Sequence, residues 1–576
     1  MSLVEMSLVD RIRGPVPARH PDPTEPAYGG TLRLHTTERI EPLDPATAHG
    51  PATRQLLWAT TRQLFAWPAA AVLPPADRHV PPVPDLAAEL PSRAGDAVSA
   101  DGLRWIVRLR PDVRWDTTPP RPVTASDVLR GLKRIAGPAA RAAAIAPLAD
   151  AVVGLAEYHA AARHAGGPVR STAAGCAEFA DRHDIPGVRV VDAYTLVFRL
   201  RRPVDLVRLL ADVGLAPVPA EYDAHLPGAA APRSTGPFRP VGRTDTGAVR
   251  LAHNPAWDPA GDPLRARFVD RIEARGDATP DELDAAALAS GAVDLSWARH
   301  TTGVGSGSAA TWGLDAYLVF NLRGPDRPAG PRRHAVRRAV ALAVDRLAVA
   351  EALAAPGVPY RLQHGLIPPG LPGHRRYDPW PTPYHRGDPE ASRAALGTLG
   401  RGARPRLTVA VPDDPRRREA AEILTANLAA TGITARTTVH RDGDLHDLLL
   451  DPASGRAGRW DVALCDWTPD GCADPGQELR SMVADDVAGG RNYGGYRSAR
   501  IAWLLAQARA EADPGRADER WHRFDLAVLR DLPVIPLVAA AVAPRSGRSP
   551  RVRNVRFLPH LHRVDLTNVW LADDTG

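Results

Sequence analysis

Residues 460 to 475, WDVALCDWTPDGCADP, place four carboxylates, two tryptophans and two of the chain's three cysteines in sixteen positions. Asp466, Asp470 and Asp474 could hold a calcium ion or supply a carboxylate dyad. Pro469 and Pro475, however, break the order of a calcium loop, and no Glu stands at its twelfth position. What remains is a carboxylate beside an indole, which suits a positively charged organic group such as an amine. The plainer alternatives are a polar surface turn and, for Asp470, a cap on a helix starting near 476. Cys465 and Cys472 are close enough in sequence to bridge across the turn, or they stand as two free thiols. Cys176 lies alone in a helical stretch.

Other chemistries fail on spacing. There is no HExxH, Walker loop or GxSxG elbow, and Gly303-Val304-Gly305-Ser306-Gly307 lacks a preceding strand and a following helix start. His560 and His562 in PHLHRVD could ligate a metal from one face of a strand, but no cysteine or acidic cluster accompanies them, so no metal or other cofactor is expected. No nucleophile pairs with a base by spacing. The expectation is a binding protein, not an enzyme.

At 576 residues the chain must build two or three cores. Its 72 basic residues, of which Lys133 is the single lysine, are dispersed among 66 acidic ones; the net charge of +6 forms no stripe, so nucleic acid is not an expected partner. No apolar run is long enough to span a membrane, and the first 28 residues offer no h-region of a secretory signal and no lipid-anchor cysteine.

The elements that must position the acidic turn follow from periodicity. GGTLRLHT (29–36), LRWIVRLRP (103–111), the hairpin GVRVVDAYTLVFRL (187–200), AVRLAHN (248–254) and FVDRIEAR (268–275) read as strands, and TRQLLWATTRQLF as an amphipathic helix. Thr124 or Ser126 can cap a helix over TASDVLRGLKRI. The small-residue stretch near 300 suits a joint between lobes. Beyond it the pattern predicts a buried strand over 317–323 and one long helix over 334–353. The Pro-rich passage 355–388 is too long and aromatic for a linker, and suits a segment that wraps a surface or lines a site. RLTVAVP, a helix opened by Asp414-Pro415 and closed by Gly432, and ITARTTVH form a β-α-β unit. After a helix over 442–450, the strand WDVALCDW brings the acidic turn to the C-terminal edge of a sheet, where ligands collect in open α/β folds.

Several stretches, in register from 29 to 572, resemble the solute-binding proteins of ABC importers, family 5, which bind peptides, dipeptides and nickel. They are DG–LRWIVRLRPDVRW–TASDV, STGPFRP (234–240) with LAHNPAW (251–257), ASGAVDL (289–295), YLVFN, AVRRAVALAVDR and LPVIPL (532–537). Trp467-Thr468-Pro469-Asp470 with Asp474-Pro475 resembles the family's W-x-x-D turn, although Asp466 replaces the usual glycine.

The resemblance implies an α/β fold of the periplasmic-binding-protein-like class II, a two-lobe clamp with an extra inserted subdomain. It implies a leader over 1–28, lobe I over 29–60, 185–311 and 538–576, an inserted subdomain over 61–184, and lobe II over 312–537, with hinge closure over ligand. It assigns Asp470 as the anchor of a ligand ammonium, Trp467 as a wall of the pocket and Thr468 as a further ligand-binding residue. Thr235 and Gly236 are placed at the cleft, and His49 after the turn of the first strand. The implied partners are a peptide or small-molecule ligand and an ABC permease, for an extracytoplasmic monomer. A cytoplasmic ligand-sensing or regulatory protein on the same clamp is the alternative, and an enzyme on this scaffold the third reading.

Overall fold

The computed structural model describes residues 25–48, 50–71, 81–137, 145–165, 172–219, 233–276, 285–297, 311–354, 359–400, 404–467, 475–484, 490–511, 513–542 and 546–572. The chain divides into two compact units: residues 306–543, and residues 19–74 and 79–305 joined by 544–576.

The unit that holds both chain ends of the described fold is built on a six-stranded mixed sheet. Its strands are β1 (Thr31–Thr36), β2 (Phe238–Arg243), β3 (Val249–His253), β4 (Arg271–Arg275) and β5 (Leu295–Trp297), with Ser546–Arg548 on the edge, in the order 546–548, β5, β1, β4, β3, β2. β1 runs parallel to β4 and β5. Alternation along β1 buries Leu32 and Leu34 against Leu56 and Leu57 of helix α1 (Pro51–Thr60). The predicted helix over 53–65 thus stops early: Thr61 is extended, and Phe65–Ala66 pairs as a short strand. A three-stranded antiparallel sheet (Arg104–Arg108, Thr195–Arg199, Val188–Asp192) contains the expected hairpin. Of the two candidate caps it is Thr124 that opens helix α2 (Ala125–Ile135), in a capping box with Asp127. Arg134 of α2 then forks onto Asp44 at 2.7 and 3.0 Å, both side chains buried.

The second unit carries β6 (Thr311–Phe320), β7 (Tyr360–Leu362), β8 (Arg406–Pro412), β9 (Thr434–His440), β10 (Val462–Trp467) and β11 (Val534–Val542), in the order β7, β11, β6, β10, β8, β9. β8 runs parallel to β9 and β10, while β6 is antiparallel to β10 and β11. Side chains leave the sheet alternately. Leu318, Phe320, Val462 and Leu464 enter one core, and Tyr317, Val319, Ala463 and Cys465 enter the other. Sequence strands read as continuous apolar runs because both faces are covered.

The expected single helix over 334–353 is two, α3 (His334–Ala343) and α4 (Arg346–Leu353). Val344 is extended, and the Asp345 side chain accepts the Ala348 N–H at 2.8 Å, so Asp345 starts a new helix where the apolar period alone would continue the old one. Helix α5 (Pro415–Ala430) begins at the Asp414 cap and ends before Gly432, whose φ of +88° only glycine adopts readily.

The Pro-rich passage folds as a strap along helix α6 (Pro514–Asp531). Asp518 of α6 accepts the Gly373 N–H at 2.6 Å, Asp525 accepts the Leu366 N–H at 2.8 Å, and Trp380 Nε1 donates to the Leu529 carbonyl at 3.1 Å.

Candidate ligand-binding site

The acidic turn leaves the sheet at the end of β10. Ordering starts at the strand's other end, where Asp461 accepts the Thr408 N–H at 2.9 Å and pairs with Arg327. Asn321 Nδ2 donates to the carbonyls of Gly455 and Trp460, 2.8 Å each. Burial lifts the Asp461 carboxyl above its usual range even though Thr408 and Arg327 act against it. Because β8 and β10 are parallel, their last residues, Pro412 and Trp467, share one sheet edge. The Tyr317 hydroxyl, opposite Cys465, is held well above its ordinary pKa by burial, with Cys465, Tyr493 and Asp466 adding to the effect.

Trp467 is 1% exposed and packs in the core that contains Trp521, Phe524 and Met482. Its indole is therefore part of the core beneath the strand end and not the exposed pocket wall expected from the sequence. Thr468 and Asp470 lie outside the described residues, as do Cys472, Asp474 and His49. Cys176 and Cys465 are buried.

Thr235 and Gly236 belong to the other unit, and their local structure is fully specified. Both of their N–H groups donate to the Thr60 carbonyl at the end of α1, 3.1 Å each. Thr235 Oγ1 accepts the Arg62 N–H at 2.9 Å. Asn254, from the motif NPAW, donates its Nδ2 to the Gly236 carbonyl at 2.8 Å, so the two sequence motifs are two halves of one hydrogen-bonded knot. Thr235 is 1% exposed. A Cβ on Gly236 would lie 2.7 Å from the Ala59 carbonyl. Gly236→Ala is expected to cost about 1–3 kcal/mol through overpacking; urea unfolding showing a loss below about 0.5 kcal/mol would mean that the α1 terminus yields freely.

Under this knot lies a charge cluster that no spacing in the sequence announces. Arg62 Nε meets Asp85 Oδ1 at 2.7 Å, Arg265 Nη2 meets Asp85 Oδ2 at 2.9 Å, and Arg265 Nη1 reaches Asp262 at 3.4 Å. The Arg265 guanidinium also stacks 3.9 Å over the Trp58 ring. Burial acts to raise the Asp85 pKa, but the Arg265 and Arg62 charges overcome it and hold the carboxyl below its ordinary value. Partners in this cluster come from positions 23 and 180 residues apart, which is why periodicity and motifs missed it.

Two α/β units, each built on a mixed sheet, fit the two-lobe, periplasmic-binding-protein-like class of ligand-binding proteins. The chain belongs to the bacterial extracellular solute-binding proteins, family 5: residues 81–489 match the family, in the part described as its Middle. Among solved structures, it is similar to the clavulanic acid biosynthesis oligopeptide binding protein 2, at 25% identity and TM-score 0.69 over 95% of this chain and 96% of that one. It shares its fold with the periplasmic binding protein DppA from Helicobacter pylori in complex with the peptide STSA, at 17% identity, TM-score 0.68 and 95% and 98% coverage. The substrate-binding domain of an oligopeptide ABC transporter from Bacillus anthracis gives 16% identity and TM-score 0.71 over 96% and 100% of the two chains. No curated protein matches the sequence. No helix among the described residues is long and apolar enough to cross a membrane.

Proposed function

We propose that the protein is the solute-binding component of an ABC-type importer, capturing a peptide or peptide-like ligand with a free amine and delivering it to a membrane permease outside the cytoplasm. It acts as a monomer and by binding alone, without turnover. The observation that carries this reading is the family match over residues 81–489, which takes in both the TGP loop and the W-x-x-D turn. The names of the similar structures, an oligopeptide binding protein and a peptide complex among them, point the same way.

In this reading Asp470, three residues beyond the end of β10, receives the ligand's ammonium, with Thr468 beside it and Trp467 fixing the root of the turn. Thr235 and Gly236, whose N–H groups are taken up by the Thr60 carbonyl, shape the TGP loop of their own unit, and His49 is assigned to the ligand on the resemblance alone. A carboxylate shut away from water with an ammonium gains from charge-assisted hydrogen bonding, and either group alone would be left uncompensated.

Small molecules released from natively purified protein, identified by mass spectrometry, supply the ligand for calorimetry. Asp470→Asn should weaken its binding at least about tenfold, roughly 1.4 kcal/mol. N-acetylation of the ligand should do the same to the unaltered protein. Equal affinity of the Asn variant removes the anchor assignment, and a natively purified protein that releases no amine-bearing molecule and binds no peptide removes the reading itself.

A further inference from the structure

The strap over 360–388 gathers three side chains that no part of the peptide-binding reading uses. His364 follows β7, Asp378 lies in the middle of the strap, and His385 closes the turn Pro383–His385. Asp378 Oδ2 is 3.2 Å from His364 Nδ1 and 3.8 Å from His385 Nδ1. One donor atom from each of the three residues lies within 4.8 Å of the other two, and the imidazole centroids are 5.1 Å apart.

The carboxylate is divided between two tasks. Its Oδ1 accepts the Trp380 N–H at 2.9 Å, which fixes the plane of the group. Its Oδ2 meets His364 Nδ1 at 3.2 Å, both atoms shut off from solvent, so carboxylate and imidazole present their donor atoms to one shared point.

Backbone geometry points the same way. Tyr384 and His385 have φ of 53° and 59°, two successive non-glycine residues in the left-handed region. Such conformations persist where surrounding contacts over-determine them and gather at ligand-holding sites. Here the Pro383 and Thr382 carbonyls accept the Arg386 and His385 N–H groups at 3.0 and 3.1 Å. The outcome is that His385, 46% exposed in its side chain, is turned back over Asp378.

We infer that His364, Asp378 and His385 form a binding site for a single divalent transition-metal ion of the zinc type. Two imidazoles and one carboxylate suit zinc and its neighbours, whereas calcium and magnesium take oxygen ligands. Metal–ligand bonds of about 2.0–2.2 Å in a tetrahedron place donor atoms roughly 3.3 Å apart, close to the two Asp378 distances. His385 must close further on both partners, and it sits on the half-exposed turn Pro383–His385. Three protein donors leave a fourth position for water.

Arg346 opposes a second cation nearby, yet its Nη1 is directed to the Pro536 carbonyl at 2.8 Å.

The test uses the untagged full-length chain, stripped with a chelator and titrated with Zn²⁺ alone against a chromophoric competitor. One ion per chain should bind, and His385→Ala and Asp378→Asn should each weaken that binding at least about tenfold. Because His385 is half exposed, its alanine variant should keep the fold; Zn²⁺ should raise the melting temperature of the parent and not of His385→Ala. Magnesium at the same concentration should do neither. Absence of Zn²⁺ binding by the parent chain overturns the site, and so does binding undiminished in His385→Ala. The site does not depend on peptide capture, so it can stand or fall separately from that reading.

Discussion

Asp85→Ala is expected to destabilise the protein by about 3–5 kcal/mol, the cost of leaving a buried charge without its partner. Asp85 is fully buried, as is Arg265, and the Arg62 side chain is 2% exposed. Both arginines are held by the one carboxylate, which also accepts the Gln63 N–H at 3.1 Å. Asp262 can compensate only in part, at 3.8 Å from Arg62 and 3.4 Å from Arg265. The guanidinium charge left without its carboxylate must be hydrated, and the core around Trp58 must open to admit water.

Loss of Asp85 should also reach the TGP loop. Arg62 N–H is the donor to Thr235 Oγ1, and Thr60 O accepts both loop amides. Urea unfolding of the variant should show the stability loss, and hydrogen exchange should show faster exchange at the Thr235 and Gly236 amides. Asp85→Asn keeps an acceptor for Arg62 Nε and should lose less. A stability loss under about 1 kcal/mol in the alanine variant would mean that water already reaches the cluster and screens it like a surface pair.

Local chemistry was the readable part of this fold. The Asp414-Pro415 start and Gly432 stop of α5 are written in adjacent residues, and the structure places both where they are written. The apolar run of β10 is likewise legible, because each side of the sheet has its own core. Asp345 shows where such reading fails. The apolar period runs through it unbroken, and only the side-chain bond to the Ala348 N–H shows that it caps a second helix. Thr235 and Gly236 could be found from the TGP motif, yet their partners on α1 are more than 170 residues away and leave no periodic trace. The same holds for the strap, whose proline content signalled a surface-wrapping segment but whose anchors on α6 lie about 145 to 160 residues further along the chain.

One of those anchors should give the protein an unusual dependence on pH. Asp525 is completely buried, and burial pushes its carboxyl up to about 7, against the opposing pull of the Leu366 and Ile367 N–H groups and the Tyr377 hydroxyl. In the unfolded chain the same group titrates at about 3.9. Between these values the folded state holds a proton that the unfolded state has released. The stabilisation from Asp525 is therefore complete below about pH 4 and declines as pH rises towards 7, opposite in sign to an ion-paired aspartate.

Its size is on the order of a few kcal/mol, since every tenfold difference in proton affinity between the folded and unfolded chains corresponds to about 1.4 kcal/mol. Asp525→Asn retains a carbonyl oxygen to accept the Leu366 N–H and cannot titrate. Urea unfolding of parent and variant at matched pH isolates the effect, because the other titrating groups contribute alike to both and cancel. The stability of the parent relative to the variant should fall steadily between about pH 4 and pH 7 and level off beyond. A difference that stays constant over this range would show that the strap is held by a carboxylate already ionised at the lower pH, with water at its side.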